Sequence, residues 1–215
     1  YSEIYWLNNK YYKNIILIPR DLSHYLFIKN KIDNISEKLN FMNFGAGHGG
    51  ISYLMALKNL NIINIEPSLI PDFDYENFHS FKNLEQFLIN IENFNKIDII
   101  YSSHTVEHLR DPIKFFKEIS KILNDSGFIF IEVPNCRKSK IDSNYQEGGC
   151  DGKITGSHLI YFTKDFFENF SSEISFFKEE ENGQKYVEVK TEDEADCIRV
   201  IISAEKIKNW VSKLN

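Results

Sequence analysis

The chain has 215 residues and a formal net charge of −6, with Lys and Arg scattered along it, so neither a phosphate backbone nor another polyanionic substrate is expected. Apolar residues make up 42% of it, and its longest aliphatic run, Ile15 to Ile18, falls far short of the ~20 residues of a membrane span. The three cysteines, Cys136, Cys150 and Cys197, form no C-x-x-C pair; this argues against a disulfide framework or zinc knuckle and fits a reducing cytoplasm.

A chain of this length suits one α/β domain that buries roughly 70% of its unfolded surface. Residues 1–38 form an N-terminal segment whose Tyr5, Trp6, Tyr11 and Tyr12 cover the sheet or roof a pocket. Short apolar runs then alternate with stretches of helical length, the pattern of βαβ units. Strands are predicted at 41–44, 62–65, 77–80, 97–101 and 128–133, with helices near 50–58, 84–91 and 112–123. Asp111 is placed to cap the last of these helices and Pro112 suits its first position. Asn124, Asp125, Ser126 and Gly127 read as the turn that follows.

A core over 39–134 is thus followed by a substrate-side segment over 135–162, opening with a loop rich in glycine (Gly148, Gly149, Gly152 and Gly156). Residues 163–215 contribute a short helix and the runs 174–177, 186–189 and 197–203, which have no helices between them and so favour antiparallel pairing at one edge.

The stretch FMNFGAGHGG, residues 41–50, fits two fingerprints. Gly45, Gly47 and Gly50 give the dinucleotide pattern G-x-G-x-x-G; Gly45, Gly47 and Gly49 give G-x-G-x-G. Either lets the backbone turn tightly against a ligand. Glu66 lies 21 residues after Gly45 at the end of the run IINIE, where a carboxylate can accept hydrogen bonds from both hydroxyls of a ribose. That supports an adenosine ligand without separating the two patterns.

The segment IDIIYSSHTVEHLRDP (97–112), with GFIFIEVPN after the next helix, separates them. Together with MNFGAGHG, it resembles the class I S-adenosylmethionine-dependent methyltransferases, in particular the small-molecule branch of ubiquinone-type O-methyltransferases. The glycine strand matches that family's pattern except that Asn43 replaces the usual Asp. The resemblance spans about 41–163. It implies a three-layer, Rossmann-like fold with seven mostly parallel strands in the order 3-2-1-4-5-7-6 and an antiparallel C-terminal edge. It also implies S-adenosylmethionine as cofactor: Gly45, Ala46, Gly47 and Gly49 pass under its methionine part and Glu66, followed by Pro67, holds the ribose. Ser102, Ser103 and His104 line the cofactor near its amino group. Where the family often has an acidic residue near adenine this chain offers Phe81, which suggests stacking instead.

His104, Glu107 and His108 also spell H-x-x-E-H, the inverted zinc-protease signature. That chemistry needs both histidines on one helical face. Here the motif straddles a strand-to-helix loop, which argues against it. Some ubiquinone-type methyltransferases carry E-x-x-E-H in this segment and bind a divalent cation through it. His104 stands where their first Glu would be, which weakens a magnesium site, and no metal is expected.

His158, in GSHLIYFT, follows the glycine-rich loop, where the family often carries a similar histidine phrase. Loops at the carboxyl ends of parallel strands bind ligands, and His158 is the favoured base, with His104 as the other candidate. The reading is methyl transfer to an oxygen, less readily a nitrogen, of a small metabolite such as a sugar or a surface-polysaccharide precursor. A nicotinamide-dependent oxidoreductase shares the glycines and Glu66 but leaves VEHLRDP unexplained, and a non-catalytic partner subunit would not need so intact a loop. The oligomeric state is left open.

Overall fold

The computed structural model describes residues 17–33, 38–68, 77–135, 158–181 and 184–214, the side chain of Asn93 excepted. Tyr5, Trp6, Tyr11, Tyr12, Cys136, Cys150 and the glycine-rich loop lie outside the described residues. Contacts divide the chain into two compact units, Tyr1–Tyr101 and Ser102–Asn215.

In the first unit, β1 (Asn40–Phe44), β2 (Asn61–Ile65) and β3 (Phe78–Phe81) pair in parallel, with Phe41 opposite Ile62 and Ile63 opposite His79. β4 (Ile97–Ser103) pairs in parallel with the other side of β1, Met42 lying opposite Ile100. Phe41, Met42, Ile62 and Ile63 are all fully buried, as expected for parallel strands covered on both faces.

The sequence expectation for residues 1–38 includes no helix, whereas α1 spans Pro19–Ile32. Pro19 begins it and the Asp21 carboxylate accepts the Ile18 N–H at 3.2 Å. Its buried face is Asp21, His24, Ile28 and Ile32, while Leu22 and Leu26 stay exposed. Two polar residues inside and two leucines outside hide the helical period from an apolar count. α2 (Gly50–Ala56) and α3 (Leu84–Ile89) complete the unit, and both stop two residues short of the predicted ends.

The second unit is built on an antiparallel set. β5 (Leu123–Pro134) pairs with β8 (Cys197–Ser203), β8 with β6 (Glu173–Glu180), and β6 with β7 (Lys185–Val189). α4 (Pro112–Ile122) is capped as predicted, Asp111 accepting the Lys114 N–H at 2.8 Å. The turn expected over 124–127 is instead the start of β5: Leu123 is buried and already extended, and Lys208 of α6 (Ala204–Ser212) holds the Leu123 carbonyl and the Asp125 carboxylate. Phe116, Phe170 and Trp210 knit α4 and α6 to the segment after α5 (Lys164–Glu168), with Phe170 stacked on Trp210 at 4.3 Å.

Among the described residues the strands hydrogen-bond in the order β3-β2-β1-β4-β5-β8-β6-β7, eight rather than the expected seven. Without β7 the order is the one expected, because β8 takes the slot between β5 and β6. β7 is an added hairpin arm outside β6. All three C-terminal runs were legible as strands; the family pattern has a place for two of them, and the middle run, β7, is the addition.

Candidate functional site

The glycine loop follows β1 and bends back on the end of β2, with Gly45 and Ala46 donating N–H groups to the Ile65 carbonyl at 2.8 and 3.2 Å. Gly45, Gly47 and Gly49 have φ of 79°, 52° and 76°, a region costly for residues with a Cβ. Gly50 has no such φ. It opens α2, and a Cβ there would run into the Asp21 carboxylate. The left-handed glycines are therefore those of G-x-G-x-G, and Gly50 serves the packing of α1 instead.

Glu66 is nearly buried, at 9% exposure, yet its carboxylate is fixed on both oxygens. Gly47 donates its N–H to Oε2 at 2.9 Å, and Ser68 donates its N–H and hydroxyl to Oε1 at 3.1 and 2.6 Å. Each carboxylate oxygen has two lone pairs, so Oε2 keeps acceptor capacity for a ribose hydroxyl. Ser68 carries no motif that sequence reading could have used. Pro67, between them, is exposed.

Two further polar contacts brace the loop. His48, inside the glycine run, meets Asp21 at 2.9 Å, and buried His24 meets the Tyr101 hydroxyl at 2.7 Å, so these two histidines tie α1 to the loop and to β4. Asn43, the departure from the family's Asp, is 1% exposed and donates to Ser52 Oγ at 2.8 Å; Ser52 in turn donates to Asn64 at 2.7 Å. The substitution leaves a neutral bridge among β1, α2 and β2. Phe81 packs edge-on against Phe87 and Phe94 at 5.4 and 5.9 Å and lines a 410 Å³ cleft with His79, Asn40 and Asn61.

In the second unit, Ser102 is fully buried and its hydroxyl has no hydrogen-bond partner among the described residues, an orphan that a ligand would satisfy. The Ser103 carbonyl accepts the Thr105 hydroxyl at 3.1 Å. His104 has φ 49°, rare for a residue with a side chain, and is held there by its N–H to the Glu132 carbonyl at 2.9 Å. Val106–His108 is a single 3₁₀ turn. His104 and His108 thus do not share an α-helical face, and the zinc-protease reading of H-x-x-E-H fails on that ground.

Glu107, 1% exposed, sits between histidines: Oε1 lies 3.7 Å from His104 Nδ1 and 3.8 Å from His108 Nε2. Its backbone carbonyl accepts the N–H groups of Leu159 and Ile160 at 2.9 and 3.1 Å. This pins the segment that starts at His158, whose ring lies 4.8 Å from that of His108. Ligand atoms of Glu107, His108 and His158 all lie within 4.8 Å of one another. The two histidines proposed from sequence therefore border one carboxylate.

Behind His104 lies a group that sequence reading missed. Glu132 is fully buried; Oε2 accepts Arg199 Nε and a second guanidinium nitrogen, both at 3.0 Å, and Oε1 accepts the Tyr186 hydroxyl at 2.6 Å. Arg199 also covers the Phe177 ring at 3.5 Å. A signal existed: FIFIEV and CIRVIIS are apolar strands carrying one opposite charge each. Two lone opposite charges in buried strands imply a pair. Cys197 Sγ and Glu132 Oε1 lie 3.5 and 3.8 Å from His104 Nε2.

Residues 17–173 match the family model for the methyltransferase domain, and the chain belongs to that family, the class I S-adenosylmethionine-dependent methyltransferases. A stretch of 109 residues is 27% identical to the ubiquinone biosynthesis O-methyltransferase of Pelagibacter ubique (strain HTCC1062), covering 48% of this chain and 45% of that protein. A S-adenosylmethionine-dependent methyltransferase of Anabaena variabilis ATCC 29413 has a similar fold, with TM-score 0.59 at 14% identity over 94% of this chain and 92% of that one. Another, from Archaeoglobus fulgidus, has TM-score 0.55 at 16% identity over 92% and 98%. The first unit's residues fit the cofactor of this family, S-adenosylmethionine: three left-handed glycines and a preset carboxylate. Among the described residues no helix is long and apolar enough to cross a membrane.

Proposed function

We propose that the protein transfers a methyl group from S-adenosylmethionine to a hydroxyl oxygen of a small metabolite, with a nitrogen acceptor as the lesser fit. The carrying observation is the G-x-G-x-G loop joined to Glu66 through the Gly47 N–H. The bound cofactor supplies an electrophilic methyl on a sulfonium. The protein's part is to align the acceptor oxygen, exclude water and take the proton that leaves the hydroxyl. Gly45, Ala46, Gly47 and Gly49 would carry the methionine part and Glu66 the ribose, with Phe81 near adenine and Ser102, Ser103 and His104 toward the amino group.

His158 is assigned to proton removal. Its ring sits beside Glu107, a buried carboxylate suited to stabilising an imidazolium, and Leu159 and Ile160 hold its segment in place. A net charge of −6 supports a small acceptor rather than a nucleic acid, and a sugar or polysaccharide precursor suits it. A cytoplasmic location supplies the cofactor.

Calorimetric titration with adenosylhomocysteine and with NADH, followed by an acceptor screen for methyl transfer, tests this reading. Tight adenosylhomocysteine binding and methyl transfer to a hydroxylated acceptor are expected; NADH binding in its place would overturn the reading.

A further inference from the structure

His104, Glu132 and Cys197 come from the end of β4, from β5 and from β8, and they converge with their ligand atoms within 4.8 Å of one another. We propose that these three side chains hold a transition-metal ion, zinc by their chemistry, independently of the methyl-transfer reading. The donors are an imidazole nitrogen, a thiol sulfur and a carboxylate oxygen, a set that suits zinc and not magnesium.

Geometry supports the assignment. Zinc bonds of about 2.0–2.1 Å to nitrogen and about 2.3 Å to sulfur put tetrahedral N and S donors ~3.5 Å apart. His104 Nε2 and Cys197 Sγ are 3.5 Å apart, and Nε2 and Glu132 Oε1 are 3.8 Å apart. Glu132 and Cys197 are fully buried and His104 is 18% exposed at its side chain, leaving one open side for a fourth ligand.

The surroundings are those of an oriented ligand set. Glu107 lies beside the remaining nitrogen of His104, at 3.7 Å from Nδ1. Arg199 holds Oε2 of Glu132, and Tyr186, delivered by the added strand β7, donates to Oε1. The Arg199 charge alone would oppose a dication. With Cys197 deprotonated, however, the three negative charges of Cys197, Glu107 and Glu132 offset both Arg199 and the ion. The left-handed backbone of His104 has a reason here: it turns the ring toward β5 and β8. An ion bound there occupies His104 and leaves proton removal to His158.

The test uses the 215-residue chain loaded with zinc and freed of excess metal. X-ray absorption at the zinc edge should show one sulfur in the first shell, in the wild type and in the Cys136→Ser/Cys150→Ser variant alike. Cys197→Ser should lose that sulfur, with adenosylhomocysteine affinity reporting that the variant is folded. Tyr186→Phe should weaken zinc binding by about 10- to 100-fold, whereas His108→Ala and His158→Ala should keep one zinc per chain. A sulfur-free shell in the wild type overturns the proposal. So does a sulfur that survives Cys197→Ser, or zinc that is lost with His108 or His158.

Discussion

The backbone N–H of Gly47 donates to Oε2 of Glu66 at 2.9 Å, joining the glycine loop to the end of β2 through the carboxylate assigned to the ribose. Glu66→Ala removes this bond, both bonds from Ser68 and the charge-assisted bonds proposed to the ribose. Adenosylhomocysteine affinity is expected to fall by about 1.5–3 kcal/mol, roughly ten- to a hundredfold, in calorimetry. Gly47→Val, at φ 52°, should abolish binding outright. Wild-type affinity in Glu66→Ala would remove the ribose role from this residue.

Gly50 separates the two glycine fingerprints. Gly50→Ala drives a methyl group into the Asp21 carboxylate, and a loss of about 1–3 kcal/mol of stability is expected from urea unfolding. The double variant Gly50→Ala/Asp21→Ala should recover part of it, since the clash is with that side chain. Strictly additive losses would show that Gly50 is required for something other than α1.

Much of this was legible in the sequence, and the failures share a cause. Strands β1, β2 and β4 read directly because parallel strands buried on both faces are largely apolar runs. The glycine loop and Glu66 read from spacing, and Asp111 with Pro112 from capping chemistry. What failed were polar groups buried among apolar ones. Asp21 and His24 masked the period of α1. Glu132 and Arg199 stand as lone charges in the apolar runs FIFIEV and CIRVIIS, which hints at a pair, but the register that sets them opposite each other is visible only once β8 is known to lie beside β5. Arg199 opposite Glu132 in that register is a consequence of topology, not of local pattern.

The Glu132–Arg199 pair makes its own prediction. Arg199→Met leaves a fully buried carboxylate without its cation, and about 3–5 kcal/mol of destabilisation is expected. Glu132→Gln/Arg199→Met removes the uncompensated charge and should regain most of that loss in equilibrium unfolding. If Arg199→Met alone unfolds at the wild-type urea midpoint, the pair has no role in holding β5 to β8.

The base assignment rests on two histidines that border Glu107 from different segments, His104 at 3.7 Å and His158 through the Glu107–His108–His158 group. His104 is committed by its backbone bond to Glu132 and by its contacts with Cys197 and Glu132, whereas His158 lies beyond that network. With an acceptor in hand, His158→Ala should lower kcat by about 10²–10⁴, the usual worth of a positioned base, at nearly unchanged adenosylhomocysteine affinity. His104→Ala should instead disturb cofactor affinity along with turnover. Full turnover in His158→Ala with loss confined to kcat in His104→Ala would reverse the two roles. Full turnover in both would mean that the acceptor loses its proton without a histidine, and that alignment alone carries the transfer.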